Sequence, residues 1–430
     1  MKISNTIKSG VVVAFLSAGM LSASAQEISL NQDNYTVPSW TRLTRLMAEM
    51  QSASQPYSIN MTLNGDPTTR MAFAWFTNSS VKTGKVQIVL KADASVEDFS
   101  KPDITIDAVS ADVKDLNYVT SKNGVEGIEA NTKRSYTSHK ALAKDLKPGT
   151  TYSFRVGNEE GWSEIGHFTT AAESYDKKEG FSFIYITDTQ AQNDGMFDVS
   201  QKTAHAAQKM VPDAKFVLVN GDLVETSGAN NSEWEYEQWF STMQDIWMNY
   251  PLVVAQGNHD TSSNSNFAWH FNTDNTFNTT SAVPTTMEGT VYSFVQGDAL
   301  FMVINYEDYK KEGYFDALAD WMRKQVEEHK DVKWRIATFH KNMFTGSQSH
   351  QSDSDGRRTE PNGREYGIHP PAHQNRDRYY EQLRQYDRGS HPEGQPLHGD
   401  RRSFGEKRSG RCFFGGNGYL SLSNGDRRTI

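Results

Sequence analysis

The chain has one cysteine, Cys412, so no disulfide can form within it and its stability must come from core packing. It also has no apolar run close to the roughly 20 residues that a bilayer-spanning helix needs. The stretch Val11 to Leu21 is too short, and Ser17 and Gly19 interrupt it. Lys2 and Lys8 precede it and Ala23-Ser24-Ala25 follows it, the order of a cleaved signal peptide. Residues 1–25 are therefore predicted to direct export, periplasmic or extracellular, with the mature chain starting at Gln26. No cysteine stands near that cleavage point, so no lipid anchor is expected and the exported protein is read as having no membrane anchor.

A local absence divides the chain. Residues 357–430 contain no Val, Met or Trp, and Ala372 is their only alanine. They hold 13 of the 20 Arg but, among 24 Lys, only Lys407. Their 14 basic and 9 acidic residues leave them at +5, against −14 for residues 1–356. A solvated basic tail has part of this character. A shift of reading frame explains more of it, because a functional basic tail would mix Lys with Arg. Too few apolar residues remain to offset the entropy of ordering, so an irregular segment is expected. No specific nucleic-acid partner is expected. His369 and His373 have H-x-x-x-H spacing, but the two prolines between them forbid a shared helix face.

What is present is enough for two domains: over 430 residues, 36% are apolar and 11% aromatic, sufficient for a large core. Residues 26–56 form a polar lead with a possible helix around Trp40 to Met50. Residues 57–171 alternate apolar and polar positions between turn signals, as in MAFAWFT, KVQIVLKA and TYSFRVGN, which predicts a β-sandwich of roughly seven strands. A charged connector, 172–180, leads to a second domain over 178–356. There, strands at 181–186, 216–220, 252–255 and 334–339 alternate with helices at 199–210, 233–248 and 315–329, the pattern of parallel β-α-β units. Strands at 290–295 and 299–304 suggest a hairpin or sheet edge.

Each of four of these strands ends in a polar cluster: Asp188-Thr189-Gln190, Gly221-Asp222, Gly257-Asn258-His259-Asp260 and His340. Ligands in open α/β sheets gather at such carboxyl ends. Hard oxygen donors, amides and imidazoles delivered there suit a pair of metal ions. Taken singly the clusters are less telling: Gly-Asp after a strand is often a turn, a strand-end His is often a surface residue, and Asp260 could cap the Thr261-Ser262-Ser263 turn.

In this order the clusters resemble the calcineurin-like metallophosphoesterases, whose pattern is D-x-H, G-D, G-N-H-D/E, a lone His and a final G-H-x-H. The sandwich sequence, from SINMTLNGDPTTRMAFAWFT to LKPGTTYSFRVGNEEGWSEIGHFTT, resembles the fibronectin type III-like domain of secreted purple acid phosphatases. The resemblance implies an α/β/β/α catalytic domain and a two-metal hydroxide mechanism acting on a small phosphate ester. It makes Asp222 the bridging ligand, Asp188 a ligand of the first metal and Gln190 a looser metal ligand through its amide oxygen. Asn258 and His340 fall to the second metal. His259 is left to stabilise the transition state or protonate the leaving oxygen, and Asp260 to orient it.

Three departures qualify that reading. Gln190 offers an amide where the family has an imidazole. Glu225 stands where purple acid phosphatases have their iron-binding Tyr, which favours Zn, Mn or a non-purple Fe pair. The G-H-x-H element is missing, so the catalytic domain is C-terminally incomplete. An acid phosphatase-like monoesterase is the first expectation. A phosphodiesterase or nucleotidase of the same superfamily, or a catalytically dead exported binding protein, are the alternatives.

Overall fold

The computed structural model describes residues 54–340 except 120–124, 126, 176–179, 226–232, 261–265, 274–288, 306 and 308–311, together with the backbone of four short strands beyond them. The export segment, the lead helix at Trp40 to Met50, His369 and His373 lie outside the described residues.

Nine strands occupy the N-terminal part: β1 (Tyr57–Thr62), β2 (Met71–Asn78), β3 (Lys85–Val89), β4 (Ile104–Asp107), β5 (Val109–Val119), β6 (Thr132–Ala143), β7 (Thr151–Asn158), β8 (Gly161–Trp162) and β9 (Gly166–Thr169). One layer runs β1-β2-β6-β5 and the other β4-β3-β7-β8, with β9 also on β7. Met71, Phe73 and Trp75 of β2 face Val86, Ile88, Phe154 and Val156 across the sandwich. The opposite face of β2 is covered too, since Phe76 stacks on Tyr136 and on His270 from the second domain. Burial on both sides explains why this strand reads as an almost unbroken apolar run.

The second domain begins with three parallel strands, β10 (Ile184–Ile186), β11 (Val217–Asn220) and β12 (Leu252–Ala255), which pair in that order. Helix α1 (Asp194–Met210) connects the first two, its N-terminus capped by the Asn193 side chain accepting from Met196 N–H. The expected helix at 233–248 is instead two, α2 (Glu233–Thr242) and α3 (Gln244–Trp247), broken at Met243. At the break the Gln244 amide meets β1: Ile59 N–H donates to its oxygen and its nitrogen donates to Ile59 C=O. After the short helix α4 (Asn266–His270), the hairpin β13 (Tyr292–Gln296) and β14 (Ala299–Val303) opens a second sheet. Helix α5 (Tyr314–Glu328) then crosses to β15 (Trp334–Thr338), parallel to β14.

Four layers result. One apolar cluster lies between α1 to α3 and the β10-β11-β12 face, a second lies between the two sheets, and a third lies under α5. This is the expected α/β/β/α order. The two domains share a sheet, because β12 pairs with β1 through Thr62 and Leu252, giving the order β10-β11-β12-β1-β2-β6-β5. Beyond residue 340 there is a small hairpin of β16 (Arg358–Thr359) and β17 (Glu365–Tyr366). Strand β18 (Arg411–Gly415) lies parallel to β15 and pairs with β19 (Tyr419–Leu420). The described parts of the segment expected to be irregular are thus these strands.

Candidate metal centre

The four clusters converge at the carboxyl ends of β10, β11, β12 and β15. Asp188 N–H donates to Gly221 C=O at 3.2 Å and Gln190 N–H to Asp222 C=O at 3.0 Å, so the first two loops stay in register beyond their strands. Thr189 Oγ1 donates to Leu223 C=O and accepts from Trp239 Nε1, tying both loops to α2. Asp188, Gln190 and Asp222 have φ of +53°, +27° and +50°, a left-handed backbone that costs a non-glycine residue about 1–3 kcal/mol. Gly221, at φ +82°, has a second reason to be glycine: a Cβ there would lie 2.6 Å from the His340 ring. A Cβ on Gly257 would lie 2.2 Å from Asp222 Oδ1.

Asp222 is the hub. Its Oδ1 accepts His259 N–H at 2.8 Å, and its Oδ2 accepts Gln190 Nε2 at 3.0 Å and lies 3.0 Å from His340 Nε2. His340 Nδ1 donates to Asn220 C=O at 2.8 Å, which turns Nε2 toward the carboxylate. Burial opposes charge on this ring, but the hydrogen bond and charge of Asp222, helped by Asn220 C=O and Asp188, raise it to about 9. Donor atoms of Asp188, Asp222 and His340 all lie within 4.8 Å of one another, a group able to hold a cation. Asp222 and His340 are buried and Asp188 is exposed, so the group opens to solvent on one side. Two carboxylates and an imidazole suit Zn, Mn or Fe.

The other expected residues stand differently. Gln190 turns its amide nitrogen, a donor, toward Asp222, so in this orientation it shares the carboxylate rather than offering an oxygen. Asn258 is exposed on the loop after Gly257. Asp260 is not the carboxylate at the His259 ring. It is fully buried, and its oxygens accept Leu223 N–H at 3.0 Å and Gly257 N–H at 2.9 Å, binding the second and third loops together. Burial, then the charge of Asp222, pushes it up to about 7. The neighbour of His259 is Glu225, whose C=O bonds Nδ1 and whose carboxylate lies 3.6 Å from it. Glu225 N–H in turn donates to the buried Glu235 carboxylate at 3.0 Å. The sequence marks Glu225 as a departure from the family pattern but does not show its contact with His259. Glu235 left a fainter signal, as an acid among the buried aromatics of EWEYEQW.

Comparison with known proteins agrees with this geometry. The sequence model of the calcineurin-like phosphoesterases matches residues 181–366, which contain every residue of the cluster. The sequence model of the purple acid phosphatase N-terminal domain matches residues 56–170, so the two matched domains follow one another in the order expected. It is 26% identical over 232 residues to "Acid phosphatase type 7" of Danio rerio, a match covering 50% of this chain and 47% of that protein. It is 28% identical over 130 residues to "Probable inactive purple acid phosphatase 9" of Arabidopsis thaliana, covering 28% of this chain and 19% of that one. Among solved structures it is similar to a purple acid phosphatase from yellow lupin (Lupinus luteus) seeds, with 14% identity and a TM-score of 0.49 over 72% of this chain and 55% of that one. The chain thus spans about half or less of the curated relatives it matches. Among the described residues no helix is long and apolar enough to cross a membrane.

Proposed function

We propose that the protein is an exported, metal-dependent phosphoesterase that hydrolyses small phosphate monoesters. The observation that carries this reading is the group of Asp188, Asp222 and His340 donor atoms at the strand ends of a calcineurin-like phosphoesterase fold. Asp222, Asp188 and His340 would hold divalent cations there, with Asn258 and Gln190 at the edge. Bound metals supply a lowered water pKa and positive charge against the phosphoryl oxygens. Asp222 keeps its two oxygens on different partners, the geometry a shared carboxylate requires. His259 is partly exposed, and Glu225 C=O fixes its Nδ1, leaving Nε2 to meet the leaving oxygen of a bound ester.

The test is metal content together with phosphate release from p-nitrophenyl phosphate and bis-p-nitrophenyl phosphate. About two ions per chain and preference for the monoester are expected. Preference for the diester would make it a phosphodiesterase. Asp222→Asn should remove metal and activity together, and two retained metals with near-normal turnover would refute the bridging role. The second reading, an exported binding protein with a silent catalytic domain, draws on the missing G-H-x-H element. It predicts no bound metal and no release from either substrate.

A further inference from the structure

We infer that Asn220 and Thr338 form a side-chain clamp between the two sheets that positions His340 against Asp222. The inference rests on the reading of Asp188, Asp222 and His340 as a metal site, and goes beyond it by naming what sets the site's geometry.

Strands β11 and β15 lie in different sheets, so no ladder of backbone hydrogen bonds fixes one against the other. Along β11 and the residue before it the inter-sheet face carries Phe216 and Leu218, and Phe216 packs edge-on against Phe294 and Phe301 of the opposite sheet. Alternation puts Asn220 next on that face, where it is wholly buried. Along β15 the same face carries Ile336 and then Thr338, also wholly buried.

An amide in such a place costs several kcal/mol unless it is paired. The Asn220 side-chain oxygen, side-chain nitrogen and backbone carbonyl are all paired, and three of these bonds fall on consecutive residues. Thr338 Oγ1 donates to its Oδ1 at 2.7 Å, its Nδ2 donates to Phe339 C=O at 3.1 Å, and its own C=O accepts His340 Nδ1 at 2.8 Å. The same carbonyl accepts Thr187 Oγ1 at 3.0 Å, which adds the end of β10. A polar residue that merely satisfied itself could use any carbonyl of the facing strand. This one takes the last residues before the imidazole, and itself stands two positions before Asp222 at the end of β11. A similar bridge stands beside it: Asn305 Nδ2 donates to Gln256 Oε1, and Gln256 Nε2 donates to Asp260 C=O. Amides therefore join the sheets along the edge where the ligands emerge, and the aromatic core joins them below.

The discriminating substitution is Thr338→Val, which removes one hydroxyl at nearly constant shape, with Thr338→Ser as the variant that restores it. In the full-length chain Mn²⁺ affinity is measured by calorimetry, the Co²⁺ complex by its visible spectrum, and the His340 ring by its nitrogen resonances, assigned with His340→Asn. Thr338→Val is expected to weaken Mn²⁺ binding roughly 10–100-fold, shift the Co²⁺ bands and move the His340 resonances, while Thr338→Ser returns to near the wild-type affinity. Unchanged affinity, spectrum and resonances in Thr338→Val would overturn the clamp even if its melting temperature fell, because a purely structural role predicts that pattern. If the wild-type chain binds neither ion, the metal-site reading fails. The His340 resonances of wild type and Thr338→Val then still decide whether the clamp positions the ring.

Discussion

Gly221 leaves no room for a side chain, since the residue before the hub carboxylate lies directly under the His340 ring. Gly221→Ala should therefore displace that ring as well as strain a backbone at φ +82°. The expected result is loss of measurable metal binding with the fold retained, read by calorimetry and circular dichroism, and unchanged binding would contradict the packing. His259→Asn tests the other half of the site. It should leave metal content intact and slow hydrolysis roughly 10²–10⁴-fold, the scale for losing a general acid. Loss of metal would make His259 a ligand. The residues in these tests were legible because each sits in a short contiguous motif after an apolar run. Asn220, Glu235 and the true partners of Asp260 were not, because the groups they bind come from distant parts of the chain or from backbone amides. A sequence shows that a polar residue falls on a buried face, as in FVLVN, but not which strand faces it.

Helix α2 carries the seam between the domains, and its acids meet the sandwich directly. Tyr118 and Tyr136 donate to the Glu237 carboxylate at 2.6 and 2.9 Å, and Arg134 lies 3.6 Å away while covering the Tyr118 ring. Burial pushes Glu237 up from 4.5 to about 7, against the opposing pull of Arg134 and Tyr118, with the charge of Glu233 adding to the rise. A carboxyl whose folded value is raised binds its proton more tightly folded than unfolded. Its contribution is full below pH 4.5 and disappears as pH rises to about 7. At most about 3 kcal/mol is involved. Glu237→Gln should therefore gain stability relative to wild type between pH 5 and pH 8 in urea unfolding. An equal gap at both pH values would show that the carboxyl is not perturbed. Most elements were legible from period and composition, β12 to the residue. The apolar pattern of 233–248 runs on through Met243 and so predicts one helix, whereas the structure has two, with Gln244 bonded to Ile59 at the break.

At the scale of the molecule, the strand order invites a test of the Arg-rich segment. In the described backbone β18 occupies the place beside β15, with Phe414 opposite Thr338. If residues 357–430 arise from a shifted frame, the gene read in another frame beyond codon 356 should encode an apolar strand for this place ending in Gly-His-x-His. The nucleotide sequence around codons 350–360 decides this, and an uninterrupted frame with no such strand in the other two would refute it. The joined sheet, by contrast, was not legible, since nothing in YSINMT or PLVVAQ marks them as neighbours. It makes the order of synthesis matter. Strand β1 leaves the ribosome about 190 residues before β12, on the order of 10–40 s at ordinary elongation rates. For that interval the finished sandwich has a bare edge at Thr62 and no Gln244 to cover Ile59, an opening for pairing with another nascent chain. Two segments that separate family models match therefore complete one sheet between them, and neither closes that edge alone.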